Sequence, residues 1–209
     1  MRYGERFNSI THLVGAAGAI AGTAVLVTIA AGLGDPWKIV SFSIYGAMLV
    51  ALYVFSTLYH SIWGRAKDVL RKIDHCMIYL LIAGSYTPFA LVSLRGAWGW
   101  SLLGAVWTLA VLGIAQEIWI AKGARVLSLV IYFTMGWLAL VAIAPLWLAL
   151  KPAGFGWLAA GGLLYTVGIV FYALDGKLRH GHGIWHLFVL AGSTCHFFAV
   201  LWHSTRVPS

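Results

Sequence analysis

The sequence predicts an all-α polytopic membrane protein, a single bundle of seven transmembrane helices spanning residues 1–209. Three observations predict it. Hydrophobic residues make up 61% of the 209 and charged residues only 10%, against about 25% charged in a soluble domain. The mean hydropathy is +0.88. Apolar runs of the length a bilayer requires, about 20 residues, recur along the whole chain.

Seven such runs can be marked, roughly 10–33, 40–61, 74–94, 99–121, 126–149, 155–174 and 184–204. The first is too long for the apolar region of a secretory signal, usually 7–15 residues, and reads as a helix. Gly34-Asp35-Pro36 ends it. The second closes before the basic connector Arg65 to Lys72. The third contains Gly84-Ser85-Tyr86-Thr87-Pro88, which predicts a kink, and ends at Arg95-Gly96. Lys122 to Arg125 separates the fourth and fifth, and Lys151-Pro152 ends the fifth. Gly161, Gly162 and Gly168 in the sixth suit close helix packing. Asp175 to Gly183 leads into the last. The 11 Trp and 9 Tyr, many near span ends, suit an interfacial belt. Cys76 and Cys195 lie in apolar segments and read as free thiols.

Loop charge sets the orientation. One side carries Arg2, Arg6, Arg65, Lys67, Arg71, Lys72, Lys122, Arg125, Lys177 and Arg179. The other carries Lys38, Arg95, Lys151 and Arg206. The richer side is expected to be cytoplasmic, with the N-terminus inside and the C-terminus outside. The net charge of +8 is explained by these loops and by anionic lipid heads, and nucleic acid is not an expected partner. A reporter fused after Ser209 is therefore expected to report an external location. A cytoplasmic reporter signal would mean an even number of spans.

This arrangement brings four costly polar residues to one level. His60 closes the second span, Asp74 opens the third, and His182 and His186 open the seventh. The i, i+4 spacing of the last two puts both on one helix face, about 6 Å apart along the axis. Ser56 is one turn before His60 on the same face. Three imidazoles and a carboxylate suit Zn2+. In that reading His60, His182 and His186 are the ligands. Asp74 is a fourth ligand, or holds water at the ion as a general base, or orients an imidazole. Ser56 hydrogen-bonds the water or an oxyanion.

Other polar residues receive plainer readings. His12, His75, His180 and His203 read as interfacial hydrogen bonders. Glu5, Asn8 and His12 either brace the site or cap the first helix. Glu117, at the end of the fourth span, reads as solvated. His196 lies about 15 Å deeper than His186, too far to share its ion, and is expected to face the bundle interior.

Glu5-x-x-Asn8-x-x-Thr11-His12, Ser56-x-x-x-His60, Asp74-His75, Ser85-Tyr86-Thr87-Pro88-Phe89, Gly136-Trp137, His182-x-x-x-His186 and His196-Phe197-Phe198 together resemble the hemolysin III family. This is the bacterial branch of the progestin and adiponectin receptor family, which is related to alkaline ceramidases. The resemblance covers essentially the whole chain. It implies seven helices in a bacterial inner membrane, an inside N-terminus, and zinc near the cytoplasmic leaflet on the residues matching His60, His182 and His186. It further implies a water held by the residue matching Asp74. The long cytoplasmic N-terminal domain of the animal receptors has no counterpart here, which argues against a receptor role.

Three functions compete at this stage. One is a zinc-dependent hydrolase of a lipid amide or ester, with membrane lipids as partners and substrate. The second is a non-catalytic protein of membrane homeostasis or energy coupling with a structural zinc. The third is a cytolytic toxin, against which the near absence of soluble surface argues.

Overall fold

The computed structural model describes residues 4–120 and 125–204 of the chain. Arg2, Lys122 and Arg206 of the loop-charge argument fall outside these residues, as do the side chains of Arg125 and His203. The described residues are helical with short turns and contain no strand. The helices are α1 (Arg6–Gly32), α2 (Pro36–Ser61), α3 (Ala66–Pro88), α4 (Ala97–Trp119), α5 (Arg125–Trp137), α6 (Ile143–Ala173) and α7 (Gly181–Ser204). Among the described residues six stretches are long and apolar enough to cross a membrane, or seven when the longest, Val126–Ala173, is divided at Lys151.

The caps follow from local chemistry. α1 stops at Gly34, whose φ of 63° continues the chain in a left-handed turn while its N–H donates to the Ala31 carbonyl (3.0 Å). Asp35 then caps α2, accepting from the N–H groups of Trp37 (2.9 Å) and Lys38 (3.3 Å), with Pro36 in the first helical position. The third helix begins earlier than its apolar run. Ala66 to Ile73 is helical although it carries Lys67, Asp68, Arg71 and Lys72. Long basic side chains can reach an aqueous interface from a helix end, so polarity there does not stop the helix. Asp74 therefore does not open α3 but sits two turns inside it.

Pro88 ends the regular part of α3, because it cannot donate to the Gly84 carbonyl. A π-helical turn over Phe89–Ser93 follows, with the Leu94 N–H reaching back to the Phe89 carbonyl (2.8 Å). The Thr87 and Ser85 hydroxyls donate to the carbonyls of Ala83 (3.0 Å) and Ile82 (2.8 Å). Neighbouring Tyr86 acts on another helix. Its hydroxyl accepts from the Ala139 N–H (2.9 Å) and faces the Met135 carbonyl at 2.8 Å, the two groups that would otherwise bond in an α-helix. A side chain inserted in the ladder in this way breaks it, and α5 gives way to a 3-10 segment, Leu138–Ala142.

The break in α6 has a different cause. Lys151 has φ 59° and ψ 172°, and Pro152 follows it. Proline disfavours the helical conformation in the residue before it. The Trp147 and Phe155 rings are 5.1 Å apart, whereas eight residues of continuous helix would separate them by about 12 Å along the axis. The two limbs thus fold toward each other. This region of backbone space is essentially reserved for glycine and costs a side-chain-bearing residue about 1–3 kcal/mol. Lys151→Gly is expected to raise stability by about 1 kcal/mol, or a few degrees in Tm, read by thermal unfolding of the solubilised chain. An unchanged or lower Tm would show that the turn carries no strain.

α3 is the central helix: 67% of its apolar window is buried, against 28% for α1 and for α4. On the outer surface Val14, Val111 and Leu148 are all exposed, as lipid-facing positions are. Of the sixth-span glycines, Gly161 abuts His196 and Gly168 abuts Trp185 and Phe188, so both serve close packing. Gly162 has nothing within 4 Å of a Cβ and instead lines a cavity. Cys76 and Cys195 are free.

Candidate metal centre

His60 comes from the last turn of α2, and His182 and His186 from the first turns of α7. Their ring centroids form a near-equilateral triangle of 5.1, 4.9 and 4.8 Å. One ligand atom from each lies within 4.8 Å of the others, so the triad could hold a metal ion.

The Nδ1 atom of every ring is already engaged. His60 Nδ1 meets Glu5 Oε2 at 2.6 Å, His182 Nδ1 meets Asp175 Oδ2 at 3.1 Å, and His186 Nδ1 meets the Asn8 carbonyl at 3.1 Å, with Thr11 Oγ1 at 3.3 Å. An imidazole that donates from Nδ1 presents its Nε2 lone pair, and outer partners of this kind fix tautomer and ring orientation at metal sites. His60 Nε2 is buried with no hydrogen-bond partner. A set of three imidazoles, one of them with an orphaned nitrogen, whose ligand atoms come within 4.8 Å of one another fits a transition-metal ion.

Several of these braces lie at one end of α1. Glu5 precedes the helix, and its other contacts are the Asn8 amide (3.1 Å) and the Lys67 ammonium (3.4 Å). Hydrogen bonds from His60 and Asn8, with the Lys67 ammonium close by, outweigh burial and hold the Glu5 carboxyl down at about 2. It is therefore ionised at neutral pH and offsets charge at the centre. Asp175 has the matching role for His182. Helix periodicity does not assign it that role, although a carboxylate seven residues before His182 across a short turn is a usable signal.

His12 departs from its interfacial reading. It is 3% exposed, stacks on His186 at a centroid distance of 3.6 Å, and has no hydrogen bond at either ring nitrogen. α2 and α7 close over it, with the Tyr53 ring edge-on at 5.0 Å. Glu117 is not solvated. It is buried and accepts from Ser128 Oγ (3.0 Å), with His75 Nδ1 at 2.8 Å. Donors from α3 and α5 replace water around that carboxylate. His75 is thus a hydrogen bonder, but to a buried carboxylate.

Asp74 and Ser56 stand beside the triad. Ser56 lies within reach of the Asp74 carboxylate, and both line a cavity that His182 and His186 also line. The cavity holds ≈ 1020 Å³ of space free of protein atoms, its mouth included, and runs between α3, α5, α6 and α7. Its walls are apolar along Ile78, Ile82, Ile169 and Val189, and it reaches His196. Of the residues singled out in the sequence, the structure therefore gathers Ser56, His60, Asp74, His182 and His186, together with Glu5, Asn8 and His12. It places His196 at the far end of the same space.

Residues 2–197 match the family described as Haemolysin-III related. The chain is 46% identical over 205 residues to the "Hemolysin-3 homolog" of Bacillus subtilis (strain 168), covering 98% of this chain and 96% of that protein. It is likewise 46% identical over 200 residues to "Hemolysin-3" of Bacillus cereus, covering 95% and 91%. It is 30% identical over 214 residues to the "Monocyte to macrophage differentiation factor" of Homo sapiens, covering 99% and 87%.

Proposed function

The chain belongs to the Haemolysin-III related family, and from that premise we propose that it is a Zn2+-dependent hydrolase acting on the amide or ester bond of a membrane lipid. The observation that carries this reading is that two of the three triad histidines, with Asp74 and Ser56, face the cavity. His182, His186, Asp74 and Ser56 all line it, so an ion held by the imidazoles would lie beside a largely apolar space between the helices. Catalytic zinc sites keep one position open, whereas structural sites close it with a fourth protein ligand.

Bound there, Zn2+ would polarise a carbonyl and lower the pKa of water to about 7. The chain's own residues supply the rest. The apolar walls hold the acyl chain and keep bulk water out. Asp74 takes a proton as the oxygen–carbon bond forms and returns it to the leaving nitrogen or oxygen as the scissile bond breaks. Ser56, within reach of the carboxylate, donates to it and holds it in place. The positive-inside pattern supports a site at the cytoplasmic leaflet, and the bacterial relatives support a bacterial inner membrane.

The test uses the full chain in lipid nanodiscs, with N-acyl and ester lipids as separate substrates and released fatty acid as the readout. Release that stops on chelation and returns with Zn2+ is the expected result. Zinc-loaded protein that releases acid from neither class would leave the ion a structural role in a membrane-homeostasis protein.

A further inference from the structure

A second carboxylate–imidazole pair stands beside the cavity, and the mechanism above does not use it. His75 Nδ1 lies 2.8 Å from Glu117 Oε1, and Ser128 Oγ donates to Oε2 of the same carboxylate at 3.0 Å. The Tyr132 hydroxyl donates to the His75 carbonyl at 3.1 Å. Residues of α4 and α5 thus hold His75 in place on α3. The Glu117 side chain is 9% exposed and that of His75 28%, so the carboxylate is the deeper of the two. Burying a carboxylate is costly unless it is paired. Placed here, it does for His75 what Glu5 does for His60: it fixes the tautomer and the ring plane.

The ring stands on the cavity side of its helix. His75 lines that space, as do Ile78 and Ile82, and the spacing i, i+3, i+7 puts all three on one face of α3. With Nδ1–H given to the carboxylate, the neutral imidazole presents Nε2 as an acceptor. Nothing among the described residues bonds this nitrogen. Unlike the ring nitrogens of His12 and His196, it is not closed off by the surrounding helices. His75 follows Asp74 by one residue, a rise of about 1.5 Å, so both meet a ligand at the same depth.

We propose that His75 is a specificity-determining residue: its Nε2 accepts a hydrogen bond from a donor in the head of the lipid, an amide N–H or a hydroxyl beside the bond that is cut. This rests on the lipid reading above. The acyl chain would run on past Ile78 and Ile82, which continue the same face of α3. A head with no donor displaces water from Nε2 and leaves it unpaired against the ligand, and a site built to hydrogen-bond its ligand discriminates against such analogues. The buried carboxylate matters because an imidazole free to change tautomer would present N–H as readily as a lone pair.

The experiment measures binding of four hexadecanoyl compounds to the full chain in nanodiscs, by displacement of a fluorescent fatty acid before product accumulates. N-ethylhexadecanamide carries an amide N–H, and N-hydroxyethyl-N-methylhexadecanamide carries only a hydroxyl. N-ethyl-N-methylhexadecanamide and ethyl hexadecanoate carry no donor. A donor-bearing compound is expected to bind about fivefold more tightly than the two without, the value of one net hydrogen bond. Whether the N–H or the hydroxyl gains the advantage identifies the group that His75 reads. His75→Phe combined with Glu117→Leu keeps a ring at the wall and strands no carboxylate. It should bind the donorless compounds at least as well and lose the advantage. A pair that only ties α3 to α4 would lower Tm in this variant and leave the ratio of affinities unchanged, which overturns the proposal. Equal affinities of the unaltered chain for all four compounds overturn it too, whether or not the variant folds, and sink this inference alone. Binding of none sinks the lipid reading with it.

Discussion

Zinc is expected to fall from about one ion per chain to near none in His60→Ala, His182→Ala and His186→Ala, as measured by metal analysis of the purified protein. Each substitution leaves only two of the three imidazoles whose ligand atoms come together. His180→Ala is the control. Its ring packs edge-on against Phe7 at 6.1 Å and takes no part in the triad. Substitution one layer out should have a graded effect. Glu5→Gln removes the charge that faces His60 Nδ1 at 2.6 Å, and Asp175→Asn does the same for His182. Each should weaken zinc by about 10–100-fold. Such variants would keep zinc at high free metal and lose it to a chelator that leaves the unaltered chain loaded. Normal zinc content in all three alanine variants would remove the metal centre altogether.

The site was legible in the sequence because its level depends on little. Once His60 is assigned to the end of one apolar run and His182 and His186 to the start of another, helix periodicity and the alternation of spans bring them together. Side-chain detail is not needed. The start of α3 was not legible in the same way. An apolar-run criterion stops where Lys72 and Arg71 begin, although a helix can continue into the interface. The partners of each imidazole were harder still. Glu5, the Asn8 carbonyl and Asp175 reach their histidines through the packing of α1 against α2 and α7 and the turn before α7, neither of which leaves a periodic trace.

Glu117 shows the converse error. A lone carboxylate at a span end is solvated unless other helices supply donors, and here His75 and Ser128 arrive from α3 and α5. The interruption of α5 also lay beyond reach, since it is caused by the Tyr86 hydroxyl, nearly fifty residues earlier in the chain. The break at Lys151-Pro152, by contrast, was visible, because proline constrains its predecessor locally.

Asp74→Asn is expected to separate metal binding from chemistry. Asparagine has nearly the volume of aspartate, and its amide oxygen can still accept from Ser56. The triad of His60, His182 and His186 holds the ion without Asp74, so zinc content should stay close to normal. Lipid hydrolysis should nevertheless fall by about 10²–10⁴-fold, the usual contribution of a positioned general base, because an amide cannot take up a proton at neutral pH. Ser56→Ala should cost less, since the carboxylate would remain and lose only its hydrogen bond. Loss of zinc in Asp74→Asn would instead make Asp74 a fourth ligand. The position facing the cavity would then be closed, and the centre would be structural by the same rule that distinguishes open from closed zinc sites. Zinc retained with hydrolysis unchanged would take the proton from Asp74 and leave the mechanism without its base. The two measurements must be made on one preparation, because only the pair of results tells a lost ligand from a lost base.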